Sequence, residues 1–294
     1  MTTPQHLALT ADDGWPVGAT LFAGRGDGAA VLVSGAAAVP QRFYAPFALH
    51  LVGAGASAVL TYDYRGIARS VGERSRRRSL RMKDWALHDF PAALAHLRRA
   101  RPDVPLVGLG HSFGGQAIGL QSRPNVFERY ATLNTMSGYW RGLQDGRSVW
   151  WRTQIVGKGL SRILGEVPGW AGLREAMLGG VFLDWARWIA TPDYFFSDPD
   201  LPETANYAKV ALPYLNVSAT DDPWANPDAN LDFMRHYANA DVREIWLRPG
   251  PGERIGHTGF FRRRNAGHWP PVADFLLRGR WGEARPLGSR ARIA

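Results

Sequence analysis

The residues Gly110-His111-Ser112-Phe113-Gly114 place a serine between two glycines at a spacing suited to nucleophilic chemistry. An apolar run at 105–109 precedes them, and Gln116-Ala117-Ile118-Gly119-Leu120 follows as a segment that can continue as a buried helix. Strand, tight turn and helix in that order form a nucleophile elbow, in which the serine holds a strained backbone and its neighbours must lack side chains. Gly110 and Gly114 are those neighbours. The turn would lift the Ser112 hydroxyl above the end of a sheet and aim the Phe113 amide at any oxyanion formed there, as acyl transfer requires.

Such a turn needs a sheet beneath it. Residues 7–10 and 16–22 read as two edge strands joined at Asp12-Asp13-Gly14, which has hairpin chemistry. Residues 29–33 form a continuous apolar run of the kind a buried parallel strand needs, and 43–52 follow with helical spacing. A further strand at 58–62 runs into Asp63-Tyr64-Arg65-Gly66-Ile67-Ala68-Arg69-Ser70. Residues 85–100 are an amphipathic helix with Asp84 as its expected N-cap, and strands follow at 130–134, 212–218 and 242–247. Strands alternating with helices predict a doubly wound, mostly parallel α/β sheet.

The motifs at 35–44, Asp63-Tyr64-Arg65-Gly66, Gly110-His111-Ser112-Phe113-Gly114-Gly115, Thr220-Asp221-Asp222-Pro223 and Ile255-Gly256-His257-Thr258-Gly259-Phe260-Phe261-Arg262 resemble the α/β-hydrolase superfamily. Within it they are similar to a bacterial serine hydrolase branch grouped with serine aminopeptidases and lysophospholipase-like proteins. The likeness runs from about residue 7 to 277, with Ala68 standing where many members carry glycine. It implies an α/β-hydrolase fold with a serine, an acid and a histidine in that chain order. Asp63 and Arg65 would brace their loop.

The acid is expected just past the strand at 212–218, where two carboxylates stand together. Asp221 is favoured because Ser218 takes the glycine place of a Gly-x-x-Asp turn, while the Asp-Pro dipeptide would select Asp222. His257 is the expected base, on a glycine-bearing loop after the last strand, with His268 as its rival before the closing helix. The second oxyanion donor is expected after Gly35, at the Ala36 amide.

Strand signals stop between 137 and 209, where Trp140, Trp150, Trp151, Trp170, Trp185 and Trp188 collect. The expected division is therefore a first core part at 1–136, a helical lid at 137–209, a second core part at 210–279 and a basic tail at 280–294. The tryptophans could line an apolar acyl pocket or form the lid's own core, two readings of equal weight here.

Composition limits the alternatives. The absence of cysteine excludes disulfides, thiolate metal sites and a cysteine nucleophile. The net charge of +9 is spread over dispersed arginines, so nucleic-acid binding is not expected. Residues 1–13 lack the features of a secretory signal and no apolar run approaches a membrane span, which points to a cytoplasmic protein without stable membrane insertion. The expected activity is hydrolysis of a carboxylic ester or related small acyl compound through an acyl-enzyme, with no metal or organic cofactor. Thioesterase and serine aminopeptidase chemistry remain within that class; the latter would need Glu166, Glu175 or Asp184 to hold a substrate ammonium. Epoxide hydrolysis would put aspartate at position 112, and a cofactor-free haloperoxidase is less expected. A non-catalytic scaffold that binds an acyl ligand or a protein partner is the competing reading.

Overall fold

The computed structural model describes residues 3–289. Its strands are β1 (Gln5–Thr10), β2 (Pro16–Ala23), β3 (Gly28–Ser34), β4 (Ala56–Tyr62), β5 (Leu106–His111) and β6 (Arg129–Leu133), followed by β7 (Glu166–Val167), β8 (Met177–Leu178), β9 (Pro213–Ala219), β10 (Asp241–Leu247) and β11 (Arg285–Pro286). Nine of these form one sheet, in the order β1-β2-β4-β3-β5-β6-β9-β10-β11. The stretch from β4 to β10 is parallel throughout, while the β1–β2 hairpin and β11 pair antiparallel at the two edges. The short β11 pairs with β10 on its outer side at Arg243 and Glu244.

Strand alternation divides the core between the two faces of this sheet. On β3, Ala30 and Leu32 join the face covered by α2 (Phe90–Ala100), whose Phe90, Ala93 and Leu97 are fully buried. Val31 and Val33 point the other way, toward α1 (Ala45–Gly53) and the C-terminal α8 (Trp269–Arg278), which follows α7 (Pro227–Met234) along the chain. Each large apolar side chain buried in this way contributes about 1.5–3 kcal/mol. The helical segment before α2 begins earlier than expected, at Met82, and passes through a wider π turn at Trp85–Asp89. Asp84 is consequently not the N-cap: it sits one turn in, where its carboxylate accepts from the Arg81 amide at 2.8 Å.

Between β6 and β9 the chain forms α4 (Gly146–Trp151), α5 (Lys158–Leu164) and α6 (Gly179–Ala190), with the small antiparallel β7–β8 ribbon among them. That ribbon was not expected from sequence; with two residues per strand it is too short to carry a periodic signal. The tryptophans divide between both anticipated uses. Trp188 is buried in the segment's own packing, whereas Trp185 stacks on Trp224 with centroids 5.7 Å apart and faces a cavity. Trp150, Trp151 and Trp170 serve neither use and are exposed. No helix among the described residues is long and apolar enough to cross a membrane. Of the expected basic tail, residues 290–294 lie outside the described residues.

The Asp63 turn braces the strand ends. Asp63 accepts from the Gln41 amide at 2.7 Å and from the Gln41 side chain at 3.0 Å. Arg65, 2% exposed, donates through Nε to the buried Asp89 at 2.8 Å and through Nη1 to Asp13 at 2.8 Å. Burial pushes the Asp89 carboxyl upward, and the Arg65 guanidinium opposes that rise. Arg65→Met should therefore cost about 3–5 kcal/mol, because it strands a buried acid without its partner. Chemical denaturation would measure this, and Arg65→Met combined with Asp89→Leu should recover part of the loss.

Candidate active site

Ser112 follows the last residue of β5 and precedes α3 (Phe113–Ala117). Its backbone takes φ 53° and ψ −115°, a conformation that side-chain-bearing residues rarely adopt. Several bonds over-determine this geometry. The Ser112 amide donates to the Leu133 carbonyl at 2.9 Å, while its carbonyl accepts from the Gly115 amide at 2.9 Å and the Thr135 hydroxyl at 3.1 Å. A Cβ at position 110 would overlap the backbone of Gly114 and Gly115, and one at position 114 would overlap the Ser34 carbonyl. Both glycines are thus required by close approach. The α3 helix is little more than one turn, so electrostatic help at Ser112 must come from individual amides more than from a long helix dipole.

Three distant parts of the chain meet above the strand ends. His257 Nε2 lies 3.0 Å from Ser112 Oγ, and His257 Nδ1 lies 2.8 Å from Asp222 Oδ2. Asp222 is 3% exposed, and its other oxygen accepts from the Trp224 amide at 2.9 Å. Burial alone would raise its pKa; attraction to His257, the hydrogen bond to that ring and bonds from the Trp224 and Ala225 amides outweigh burial and hold it below the usual carboxylate range. The carboxylate next to the imidazole is therefore charged at neutral pH.

Asp221, the position favoured from sequence, faces a different task. Its two oxygens accept from the amides of Ile255 and Gly256 at 3.0 and 2.8 Å, which anchors the loop that carries His257. Counting from the strand end failed because the chain has already turned: the Asp222 amide bonds the Ala219 carbonyl at 3.1 Å, so simple strand alternation no longer applies. His268 is also placed elsewhere, at the start of α8, where its Nε2 bonds Glu253 Oε1 at 3.1 Å.

The Ala36 amide is occupied. It donates to the Tyr44 hydroxyl at 2.7 Å, and that hydroxyl lies 2.9 Å from Nδ1 of His111. His111 Nε2 in turn lies 2.7 Å from the His257 carbonyl, which can only accept, so Nε2 carries the proton. Burial, reinforced by the nearby His257, lowers the His111 pKa to about 3, and its Nδ1 is therefore free to accept from Tyr44. The result is one directed chain, from Ala36 N–H through Tyr44 and His111 to the backbone of His257. Asn134, at φ 50°, adds a second tether: its Nδ2 donates to the carbonyls of Gly256 and His257 at 3.0 and 2.9 Å, and its Oδ1 accepts from the Ala219 amide at 2.9 Å. Sequence reasoning missed Tyr44, His111 and Asn134. The place of His111 inside the elbow motif and of Tyr44 at the end of the 35–44 motif could have flagged two of them.

A cavity of about 220 Å³ opens beside Ser112 and His257. Phe113, Met136, Met177, Trp185, Tyr194 and Trp224 form most of its apolar lining, and Ala36, Ala37, Arg174 and Thr258 line it as well. A larger groove of about 840 Å³ lies at the β10 edge, and neither Ser112 nor His257 lines it. Among the described residues one metal-compatible cluster occurs, Asp12, Asp13 and His88, which is solvent-facing and does not border the cavity. Its acids are already engaged, Asp12 by His88 and Asp13 by Arg65 and Arg76.

Residues 30–275 match the model of a protein family described as the alpha/beta hydrolase family. The chain belongs to that family. Among solved structures, a soluble variant of monoglyceride lipase from Saccharomyces cerevisiae is similar at 16% identity and a TM-score of 0.68, covering 94% of this chain and 96% of that one. A haloalkane dehalogenase variant from Bradyrhizobium elkanii is similar at 15% identity and a TM-score of 0.63, with 93% and 96% covered. An esterase of Pyrococcus furiosus is similar at 15% identity and a TM-score of 0.59, with 93% and 92% covered. No curated protein matches the sequence. At these identities the structural likenesses establish the common α/β-hydrolase fold and leave the substrate of this member to its own side chains.

Proposed function

We propose that this α/β-hydrolase is a serine hydrolase of compact carboxylic esters or related acyl compounds. The observation that carries this reading is the continuous contact of Ser112 Oγ with His257 Nε2 at 3.0 Å and of His257 Nδ1 with Asp222 at 2.8 Å. In the proposed mechanism His257 takes the Ser112 proton as the oxygen attacks the substrate carbonyl, while Asp222 holds the ring by its Nδ1–H and offsets its positive charge. The tetrahedral oxyanion accepts from the Phe113 amide and from the loop after β3. Because Tyr44 engages the Ala36 amide, the neighbouring Ala37, which lines the same cavity, takes the donor role first given to Ala36. His257 then protonates the leaving group, and water releases the acyl group by the same steps in reverse order. None of these steps calls on a metal or organic cofactor.

The cavity supports a small substrate. At about 220 Å³ it is smaller than pockets that enclose drug-sized ligands, which run to roughly 300–1,000 Å³. An aminopeptidase reading is less well supported, since Glu175 is paired with Arg42 and Asp184 with Arg81, and Glu166 does not line the cavity beside Ser112.

A fluorophosphonate probe should label the protein at Ser112, and p-nitrophenyl esters should be cleaved faster as acetate or butyrate than as octanoate or decanoate. Absence of labelling would favour the non-catalytic scaffold. Labelling with a preference for the longer esters would retain the nucleophile and reject the compact pocket.

A further inference from the structure

The cavity is not wholly apolar in its lining. Arg174 lines it, with Nη2 donating to the Thr258 hydroxyl at 2.7 Å and the guanidinium 4.5 Å from the centre of the Phe43 ring. Its backbone is held as well: the next residue, Glu175, donates its amide to the Ala38 carbonyl at 3.1 Å and pairs its carboxylate with Arg42. This fixes the 174–175 segment over the loop after β3, close to where an oxyanion would form.

What Arg174 lacks is an acid. Among the described residues no carboxylate forms an ion pair with it, in contrast to Arg42, Arg65, Arg81 and Arg187. Desolvation, followed by repulsion from Arg262, weakens its hold on its proton, although a guanidinium remains charged at neutral pH. A positive charge anchored by a hydroxyl and an aromatic face, and with no anion of its own, is arranged to receive one from outside.

The side on which it sits indicates which part of the substrate it meets. His257 must deliver a proton to the leaving atom, so the leaving group lies toward His257, and Arg174 reaches that part of the cavity through its bond to Thr258, the residue next to His257. We propose that Arg174 binds an oxyanionic substituent, carboxylate or phosphate, on the leaving group of the substrate. The substrate class thus becomes a compact acyl ester of an acidic alcohol or phenol. This rests on the hydrolase reading above, and it adds a charge requirement that the triad does not impose.

The test compares 4-acetoxybenzoate with its neutral methyl ester, and 4-acetoxyphenyl phosphate as a second anion. Arg174→Gln should lower the ratio of kcat/KM for anionic over neutral ester by about tenfold or more, the size expected for a charge-assisted hydrogen bond. A ratio unaffected by the substitution overturns the proposal. Using a ratio removes any difference in the amount of folded enzyme. The arm with the larger Arg174-dependent ratio distinguishes carboxylate from phosphate recognition. Binding of 4-hydroxybenzoate, followed by calorimetry, separates this idea from the hydrolase reading. Arg174-dependent binding without ester turnover would keep the anion site and discard the catalysis, whereas turnover with an Arg174-independent ratio would do the opposite.

Discussion

Ser112→Ala should lower kcat on an activated ester by at least roughly 10³-fold, since the attacking oxygen is gone and only the oxyanion donors and substrate binding remain. The variant should fold, because the Ser112 backbone is held by the Leu133 carbonyl, the Gly115 amide and the Thr135 hydroxyl, none of which touches the missing atom. Ser112→Gly makes the comparison sharper. Both variants lack the hydroxyl, but at φ 53° and ψ −115° only glycine escapes backbone strain. Relief of about 1–3 kcal/mol, set against glycine's entropic cost of about 0.5–1 kcal/mol, should leave Ser112→Gly the more stable variant by about 1 kcal/mol. Equal midpoints in urea would mean that the elbow stores no strain. A rate on the ester that is unchanged in Ser112→Ala would remove the proposed nucleophile altogether.

The elbow around Ser112 was legible in the sequence because its cause is largely local. Steric exclusion at Gly110 acts against Gly114 and Gly115, within five residues, and an apolar strand followed by a helix leaves the elbow little freedom. The sheet was legible for a similar reason: continuous apolar runs can be buried on both faces only in parallel strands covered by helices. The contacts that sequence did not reveal depend on side chains returning from a distance. Tyr44 reaches back to the Ala36 amide across the loop, and His111 and Asn134 contact a loop over 100 residues further along the chain. No periodicity encodes such meetings. The division of labour at Asp221 and Asp222 was hidden by a single turn, since the bond between the Asp222 amide and the Ala219 carbonyl reorients both side chains where the strand ends.

That division of labour gives the second large effect. Asp222→Asn should lower kcat by roughly 10⁴-fold, as the amide can present an N–H to Nδ1 and turn the imidazole into the tautomer unable to accept the Ser112 proton. The same change at Asp221 acts on backbone geometry. Asp221 accepts from two amides, and asparagine keeps one acceptor oxygen while turning an NH₂ toward the other donor. The His257 loop would loosen without losing its proton acceptor, because Asn134 and His111 still hold the His257 carbonyl. A loss of about tenfold in kcat/KM is expected for Asp221→Asn, corresponding to about 1.4 kcal/mol. Steady-state kinetics on one activated ester, with both variants normalised to folded protein, separates the two roles. A greater loss at Asp221 than at Asp222 would reverse the assignment, because a carboxylate bonded only to amides could then outweigh the one in contact with the ring.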